Sequence, residues 1–261
     1  QAKLGKGSEK PLARHVSVVT GGGSGIGAAT ARALAAEGSE VAVLDQDEKA
    51  ALAVAAEFGG LGLACDVTDS RAVRRAFDQV VKKYGGIDIV VSNTGATWQG
   101  TIGEVSDKVL RDSFELNFFA HQSVAQNAVR VMVAQGTGGC LLFNTSKQAV
   151  NPSKDFGPYG LPKAATMALM RQYALDYGHL GIKSNAVNAD RIRSGLLTDD
   201  MVKARARARG LSQSDYMSGN LLGREVTADD VAKVFVDLAR STKTTAAIVT
   251  VDGGNIAAAL R

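Results

Sequence analysis

The sequence predicts a doubly wound α/β domain, in which a seven-stranded parallel sheet is flanked by helices. Short apolar runs of five to seven residues alternate with longer stretches of helical period. A glycine-rich turn lies directly between the first run and the first helical stretch. The 261 residues are 45% hydrophobic and 21% charged, which is typical of a globular domain and excludes disordered, fibrous and disulfide-rich small proteins.

The apolar runs have the length of buried parallel strands. In chain order they are His15–Thr20, Glu40–Asp45, Leu61–Asp66, Ile87–Ser92, Gly139–Thr145, Lys183–Asn188 and Ala247–Val251. The predicted helices between them are Gly25–Gly38, Asp47–Phe58, Ser70–Tyr84, Ser106–Gln135, about Pro158–Tyr177, and Thr227–Ala239. Asp69 and Thr227 occupy N-cap positions at the start of two of these helices.

The stretch from about 191 to 224 interrupts the alternation and carries no strand signal. An insertion of that length after a strand is typical of a lid over a site. No repeat or composition shift marks a second domain, so residues 1–261 are predicted to form one domain. Its first residue is Gln1 rather than Met, which suggests trimming, a processed start, or a domain cut from a longer chain.

Net charge and cysteine content indicate which partners and which cellular compartment are expected. The net charge of +4 is only mildly positive, so no nucleic-acid partner is expected. No apolar stretch is long enough to span a membrane, and the charged N-terminal residues do not resemble a signal peptide. Cys65 and Cys140 both fall in apolar runs, which favours buried free thiols in a reducing compartment. We therefore expect a soluble, cytoplasmic protein.

A nucleotide site is predicted at the glycine-rich turn, Thr20-Gly21-Gly22-Gly23-Ser24-Gly25-Ile26-Gly27. Backbone N–H groups and the helix dipole at such a turn can hold a pyrophosphate, and glycine lets it approach closely. A flexible turn is the alternative, but the strand–turn–helix context favours a dinucleotide.

Side chains at the ends of the next strands belong to the same site. Asp45 ends the second strand, where a carboxylate can accept hydrogen bonds from ribose hydroxyls and repel a 2′-phosphate. This favours NAD over NADP, whereas Asp47 is better explained as a helix cap. The carboxyl ends of the third and fourth strands also face the ligand crevice of such a sheet. The residues there are Asp66 and Val67, followed by Asn93, Thr94 and Gly95.

A second group of residues predicts acid–base chemistry. Tyr159 and Lys163 are four residues apart on a predicted helix and share a face, and Ser146 ends a strand thirteen residues before Tyr159. Lowering the pKa of a phenol from about 10 to about 7 takes about 4 kcal/mol, which a close cation in a partly dry site can supply. Tyr159 is then the acid–base and Ser146 a donor to the substrate oxygen. Asn117 either fixes a water that relays protons from Lys163 or is simply a buried polar residue.

From about Leu12 to Gly254 the chain resembles the short-chain dehydrogenase/reductase family. The resemblance rests on Thr20–Gly27, Asp66, Asn93–Gly95, Asn117, Ser146, Tyr159, Lys163 and Val251-Asp252-Gly253-Gly254. It implies a Rossmann fold, a nicotinamide cofactor contacted also by Tyr159 and Lys163, an Asn–Ser–Tyr–Lys tetrad, no metal, and a homo-oligomer, either a tetramer or a dimer. Its interface would involve the long fourth and fifth helices.

Three positions depart from the family pattern. Asn93-Thr94-Gly95 replaces Asn-Ala-Gly, and Lys147 follows the serine where a small or apolar residue is usual. Ala189-Asp190-Arg191-Ile192-Arg193-Ser194 replaces the usual Pro-Gly and Thr of the nicotinamide-side loop. Ile192 and Ser194 are still expected to contact the cofactor.

A narrower resemblance concerns the segments 144–152, 156–163 and 188–197. They are similar to the dehydrogenase half of bifunctional rhamnulose-1-phosphate aldolase/lactaldehyde (alcohol) dehydrogenase proteins of rhamnose catabolism. In that group an aldolase precedes the dehydrogenase, and the implied substrate is L-lactaldehyde or a related small hydroxy-aldehyde or alcohol. The alternatives are a polyol or sugar dehydrogenase, and a non-catalytic protein that senses the dinucleotide.

Substrate recognition is expected from the lid and from a few polar side chains. The candidates are Lys147, Gln148, Trp98, Asn151 and Arg191. Lys147, Arg191 and Arg193 could bind a carboxylate or phosphate, or an arginine could pair with Asp190 instead. Trp98 could equally belong to the core or to a subunit interface. The basic residues Lys203, Arg205, Arg207 and Arg209 are expected on a solvated lid surface rather than around a phosphate.

Overall fold

The computed structural model describes residues 9–195 and 197–256, and it has the predicted seven-stranded parallel sheet. The strand order is β3-β2-β1-β4-β5-β6-β7. The strands are β1 Val16–Thr20, β2 Glu40–Asp45, β3 Leu61–Ala64, β4 Ile89–Ser92, β5 Gly139–Ser146, β6 Ile182–Ala189 and β7 Ile248–Val251. The ends of the predicted 1–261 domain and Leu196 of the lid lie outside the described residues.

The helices follow the strands in the predicted alternation, with additions. They are α1 Gly25–Ala36, α2 Glu48–Ala56, α3 Ser70–Tyr84, α4 Asp107–Phe114, α5 Ala120–Gln135, α6 Gly157–Tyr177, α7 Asp199–Arg207, α8 Gln213–Met217 and α9 Ala228–Arg240. The N-caps are as predicted, because Asp69 accepts from the Arg71 amide and Thr227 forms a capping box with Asp230.

The core lies on both faces of the sheet. One cluster, which includes Phe77, Met132 and Met170, packs α3, α5 and α6 on one face. The other cluster, which includes Leu34 and Phe235, packs α1, α2 and α9 on the opposite face. Because the central strands, such as β1 and β4, are covered on both sides, they read as apolar runs rather than as an alternation of apolar and polar residues.

The sequence predicted one helix over Ser106–Gln135, whereas the structure divides it. A π-helical segment, Glu115–Phe119, separates α4 from α5 and contains the buried Asn117. Its wider turn changes the direction of the side chains, a feature that often marks functional sites.

The lid segment contains two helices, α7 and α8, that the sequence pattern did not predict. They enclose a small apolar cluster of their own, formed by Leu197, Val202, Ala206, Tyr216 and Met217. The lid therefore has a folded core next to the carboxyl ends of the strands. Among the described residues, no helix combines the length and apolarity that crossing a membrane requires.

Candidate active site

The glycine-rich turn joins β1 to α1 at the point where the strand order changes direction. Gly22 N–H donates to Leu44 O at 3.1 Å, and Gly23 N–H donates to Asp45 Oδ2 at 2.9 Å. A Cβ on Gly27 would lie 2.0 Å from Gly21 O, so no side chain fits there. The turn is thus held to β2 with its backbone close to the crevice outside the strands.

A cavity of about 320 Å³ opens beside this turn. Most of the residues predicted to contact the cofactor line it: Gly21, Ser24, Gly25, Ile26, Asp45, Asp66, Val67, Asn93, Thr94, Gly95 and Ser194. Gly27 does not, because it packs against Gly21. Within the described part of the chain, the buried Thr94 Oγ1 and Asn144 Oδ1 have no hydrogen-bond partner, and both residues line this cavity. Polar atoms of this kind fit a hydrogen-bonding ligand such as a dinucleotide.

The two aspartates of this cavity are held differently. Asp45 accepts from Gly23 N–H through Oδ2 and from Asp47 N–H through Oδ1 at 3.1 Å, so its position is fixed at the end of β2. Asp66 Oδ1 accepts from both the amide and the hydroxyl of Thr68, at 2.9 and 2.7 Å. Asp47 itself caps α2.

A second cavity, of about 400 Å³, adjoins the first, and three residues line both: Ile26, Asn144 and Ser194. Ser146, Tyr159, Lys147, Gln148, Arg191 and Ile192 also line it. Ser146 and Tyr159 therefore meet most of the predicted substrate residues in one space, whereas the other two tetrad residues, Asn117 and Lys163, line neither cavity. Trp98 and Asn151 line neither cavity, while Thr97 and Gln99, the neighbours of Trp98, do line the second.

Tyr159 is buried at the start of α6, and its side chain forms a hydrogen bond with Ser146. Burial raises the pKa of Tyr159 to about 12, while a hydrogen bond with Ser146 opposes that rise. A close cation was expected to lower this pKa towards 7. Nζ of Lys163 lies 5.9 Å from the ring centroid, but burial prevails and the Asp190 carboxylate raises the pKa of Tyr159 further, so the expected lowering is not found.

Lys163 is 2% exposed and is held by two acceptors. Its Nζ donates to Asn144 O at 3.1 Å and lies 3.3 Å from Nε2 of His121. Burial lowers the pKa of Lys163 to about 7. His121, whose Nδ1 lies 2.6 Å from Ser92 Oγ, was not among the predicted site residues. Its spacing of four residues from Asn117 was the available signal.

Asn117 lies next to Lys163. Its Nδ2 donates to Ala96 O at 2.9 Å and to Ser113 Oγ at 3.2 Å, and its main-chain oxygen accepts from Thr166 Oγ1 at 2.6 Å. Its Oδ1 is buried and unpaired within the described part of the chain. A Cβ added to Gly95 would meet both this oxygen and Lys163 Nζ, so the two groups face the same backbone position.

The first arginine after β6 follows one of the two predicted alternatives. Arg191 Nη1 donates to Tyr216 O at 2.8 Å and Gly219 O at 3.2 Å, and its Nε lies 3.6 Å from Asp190. The internal pair with Asp190 was one of the two predicted alternatives. Arg191 therefore ties the loop to α8 instead of standing free for a substrate anion.

The other lid cations divide into two groups. Arg193 pairs with Glu225 and Asp199 at the surface, and Lys203 and Arg207 are exposed. The expectation of a solvated surface fails for Arg205, which is partly buried, whereas Arg209 is exposed as expected; both line the second cavity. Their guanidinium groups lie over aromatic rings that face it, which a charge pattern alone could not reveal.

The chain is similar to a protein family and to two known proteins over most of its length. A family model described as enoyl-(acyl carrier protein) reductase matches residues 21–255. The chain is 32% identical to the uncharacterized oxidoreductase YuxG of Bacillus subtilis over 97% of its own length, but it spans only 39% of that relative. It is 33% identical to (+)-borneol dehydrogenase 1 of Salvia officinalis, over 88% of each chain.

A solved structure shows the same architecture. The crystal structure of a short-chain type dehydrogenase/reductase from Mycobacterium marinum superposes with a TM-score of 0.85 at 28% identity, covering 94% of this chain and 96% of that one.

Proposed function

Because this chain belongs to the short-chain dehydrogenase/reductase family, we propose that it is an NAD-dependent oxidoreductase acting on a small hydroxy-aldehyde or alcohol, with L-lactaldehyde as the leading candidate. The observation that carries the proposal is the junction of the two cavities. Ser146 and Tyr159 line one, the glycine turn and Asp45 line the other, and Ile26, Asn144 and Ser194 line both.

The residues of the second cavity supply proton transfer. A nicotinamide cofactor, held beside the glycine turn and Asp45, would supply the hydride or accept it from the substrate carbon. Ser146 orients the substrate oxygen, and Tyr159 takes its proton during oxidation or returns it during reduction. Lys163 and the positive charge of an oxidised nicotinamide both favour the phenolate, against the burial that raises the pKa of Tyr159. The buried Asn117 side-chain amide holds the backbone at Ala96 and directs its Oδ1 to the same backbone position, Gly95, as Lys163 Nζ.

Asp45 supports the preference for NAD. Its carboxylate lies in the first cavity, fixed by two backbone amides, and the adjacent lining residue is the neutral Gln46. A carboxylate there accepts hydrogen bonds from ribose hydroxyls and repels a 2′-phosphate.

The cysteines argue against a thiol route to aldehyde oxidation. Cys65 and Cys140 are free and buried, and burial raises the pKa of both thiols to about 11. Neither lines the cavity of Ser146 and Tyr159. Oxidation of an aldehyde would therefore use the hydrated form, from which Tyr159 removes a hydroxyl proton. Such buried free thiols also suit a reducing, cytoplasmic setting.

We propose a homo-oligomer because apolar side chains are exposed on α6 and at the residue that precedes α5. Leu161 and Leu175 on α6 are 48% and 75% exposed, and Phe119, the last residue of the π-helical segment before α5, is 51% exposed. Light scattering of the purified chain tests this, and a monomer would contradict it.

A substrate panel tests the proposed reaction. NADH formation is followed with L-lactaldehyde, propane-1,2-diol, and a set of polyols and sugars. Preferential turnover of the three-carbon compounds supports the proposal. Preferential turnover of sugars or polyols would show that the protein is a sugar or polyol dehydrogenase instead. If the protein binds NADH but turns over none of these compounds, the proposal that it is an enzyme is contradicted.

A further inference from the structure

The lid side of the second cavity carries an excess of positive charge. Among the residues that the structure describes, five cationic side chains line this cavity: Lys147, Lys154, Arg191, Arg205 and Arg209. The lining carboxylates are Asp155 and Asp190. Asp190 is paired with Arg191, and Asp155 accepts a hydrogen bond from Thr101 Oγ1. The electrostatic potential around the remaining cationic side chains is therefore positive, because few carboxylates offset their charge.

Arg205 is the central residue of this group. Its guanidinium carbon lies 5.4 Å from the centroid of the Phe156 ring. Its Nη2 is buried and, counting all described residues, has neither a hydrogen-bond partner nor a carboxylate at ion-pair distance. A buried donor without an acceptor is destabilising, and a ligand oxygen is the acceptor that would relieve this.

Arg209 lies four residues further along, just beyond the end of α7, and is exposed. Its guanidinium carbon is 5.3 Å from the centroid of the Tyr216 ring, and its Nη1 donates to Arg205 O at 3.1 Å. Both guanidinium groups are thus held against aromatic faces at the border of one cavity, Arg205 by Phe156 and Arg209 by Tyr216. Guanidinium groups placed in this way suit the forked binding of a carboxylate or a phosphate.

We propose that Arg205 and Arg209 form an oxyanion-binding subsite, which selects substrates that carry a carboxylate or phosphate in addition to the reacting hydroxyl or carbonyl group. The proposal rests on the proposed dehydrogenase function but replaces its leading substrate, neutral L-lactaldehyde, with an anionic hydroxy compound. It predicts that an anionic hydroxy compound is a better substrate than neutral L-lactaldehyde.

The location of the arginines separates this subsite from cofactor binding. Neither lines the first cavity, which holds the glycine turn and Asp45. Both line the cavity of Ser146 and Tyr159, so an anion bound there belongs to the molecule being oxidised or reduced.

Matched substrate pairs test the proposal. NAD-dependent kcat/KM is measured for propane-1,2-diol and its 1-phosphate, and for butane-1,3-diol and 3-hydroxybutyrate. We expect a ratio of anionic to neutral kcat/KM well above one in at least one pair. The first pair reports a preference for phosphate and the second a preference for carboxylate. Ratios near or below one in both pairs would overturn the subsite.

Variants locate the effect. Arg205→Gln should lower the favourable ratio at least tenfold, while Arg207→Gln, an exposed change on the same helix, should leave it unchanged. An equal loss in both variants would indicate general surface charge and overturn the assignment. Unchanged NADH affinity shows that Arg205→Gln is folded, because the cofactor cavity does not include this residue.

A binding measurement separates the subsite from the reaction. If no compound is oxidised, calorimetric titration of inorganic phosphate into the NADH complex still tests the arginines. Phosphate binding that weakens tenfold in Arg205→Gln but not in Arg207→Gln supports the subsite while the proposed reaction fails. Absence of phosphate binding, or equal binding by both variants, overturns the subsite.

Discussion

The Nζ atom of Lys163 lies 3.3 Å from Nε2 of His121 in the interior of the protein. The opposite ring nitrogen of His121 lies 2.6 Å from Ser92 Oγ. The three side chains thus form a buried chain from α6 through α5 to β4. Burial holds the pKa of His121 well below its usual range, and the Lys163 charge lowers it further. A neutral imidazole can accept a hydrogen bond from the lysine.

This contact makes His121 a positioning residue for Lys163. His121→Leu should lower kcat by about tenfold, since it removes one of two acceptors that hold the ammonium. Loss of that acceptor lowers the pKa of Lys163, weakens support for the Tyr159 phenolate and moves the corresponding limb of the kcat/KM profile to higher pH. His121→Gln should recover part of both effects. A lower kcat with an unmoved pH profile would indicate a purely structural role.

Lys163 should also leave a signature in stability. Burial lowers its pKa from 10.5 to about 7. Between those pH values the unfolded chain retains a proton that the folded chain has released, so the free energy of unfolding rises with pH. The expected slope is roughly 1 kcal/mol per pH unit. Urea unfolding of wild type and Lys163→Met at pH 7.5–9 measures it, and a pH-independent difference between them would contradict the buried, shifted lysine.

Cofactor choice should depend on Asp45. Asp45→Ser combined with Gln46→Arg removes the carboxylate and adds a cation for a 2′-phosphate. We expect kcat/KM with NAD to fall about tenfold or more and the preference to turn towards NADP. Asp47→Asn, which keeps the cap of α2, is the matched control and should keep the NAD preference. Unchanged preference in the double variant would remove Asp45 from cofactor selection.

The glycine turn should not tolerate a side chain at its most crowded position. Gly27→Ala places a Cβ 2.0 Å from Gly21 O, so the turn must move. We expect a stability loss of about 1–3 kcal/mol, with weakened NADH binding. Gly103→Ala, where a Cβ meets no atom within 4 Å, is the control. Thermal unfolding and NADH fluorescence report the two effects, and wild-type values for Gly27→Ala would show that the turn is not tightly packed.

The sheet and the glycine turn were predictable because their signals are local. Apolar runs, helical period and N-caps such as Asp69 and Thr227 depend on neighbouring residues, and the structure has them as predicted. Ser146 ends β5 and Tyr159 lies in the first turn of α6, the next long helix, so both line one cavity at the carboxyl ends of the strands.

Features that depend on distant contacts were not predictable. His121 gains its place only from partners on β4 and α6. The directions of Arg205 and Arg209 depend on the rings of Phe156 and Tyr216. The lid helices enclose a cluster too small to produce a strong period, and the pKa of Tyr159 reflects burial that a sequence does not display.

The most direct test of the central claim compares wild type with Tyr159→Phe in two assays, NADH formation from NAD with L-lactaldehyde or an anionic hydroxy compound, and NADH binding by fluorescence. We expect the loss of the phenol hydroxyl to lower kcat about a hundredfold or more, because this hydroxyl is proposed to transfer the proton. NADH affinity should stay within about twofold of wild type, because the dinucleotide is proposed to bind in the first cavity. Turnover that persists in Tyr159→Phe would contradict the assigned acid–base residue, and wild-type protein that binds NADH but oxidises nothing would contradict the enzyme itself.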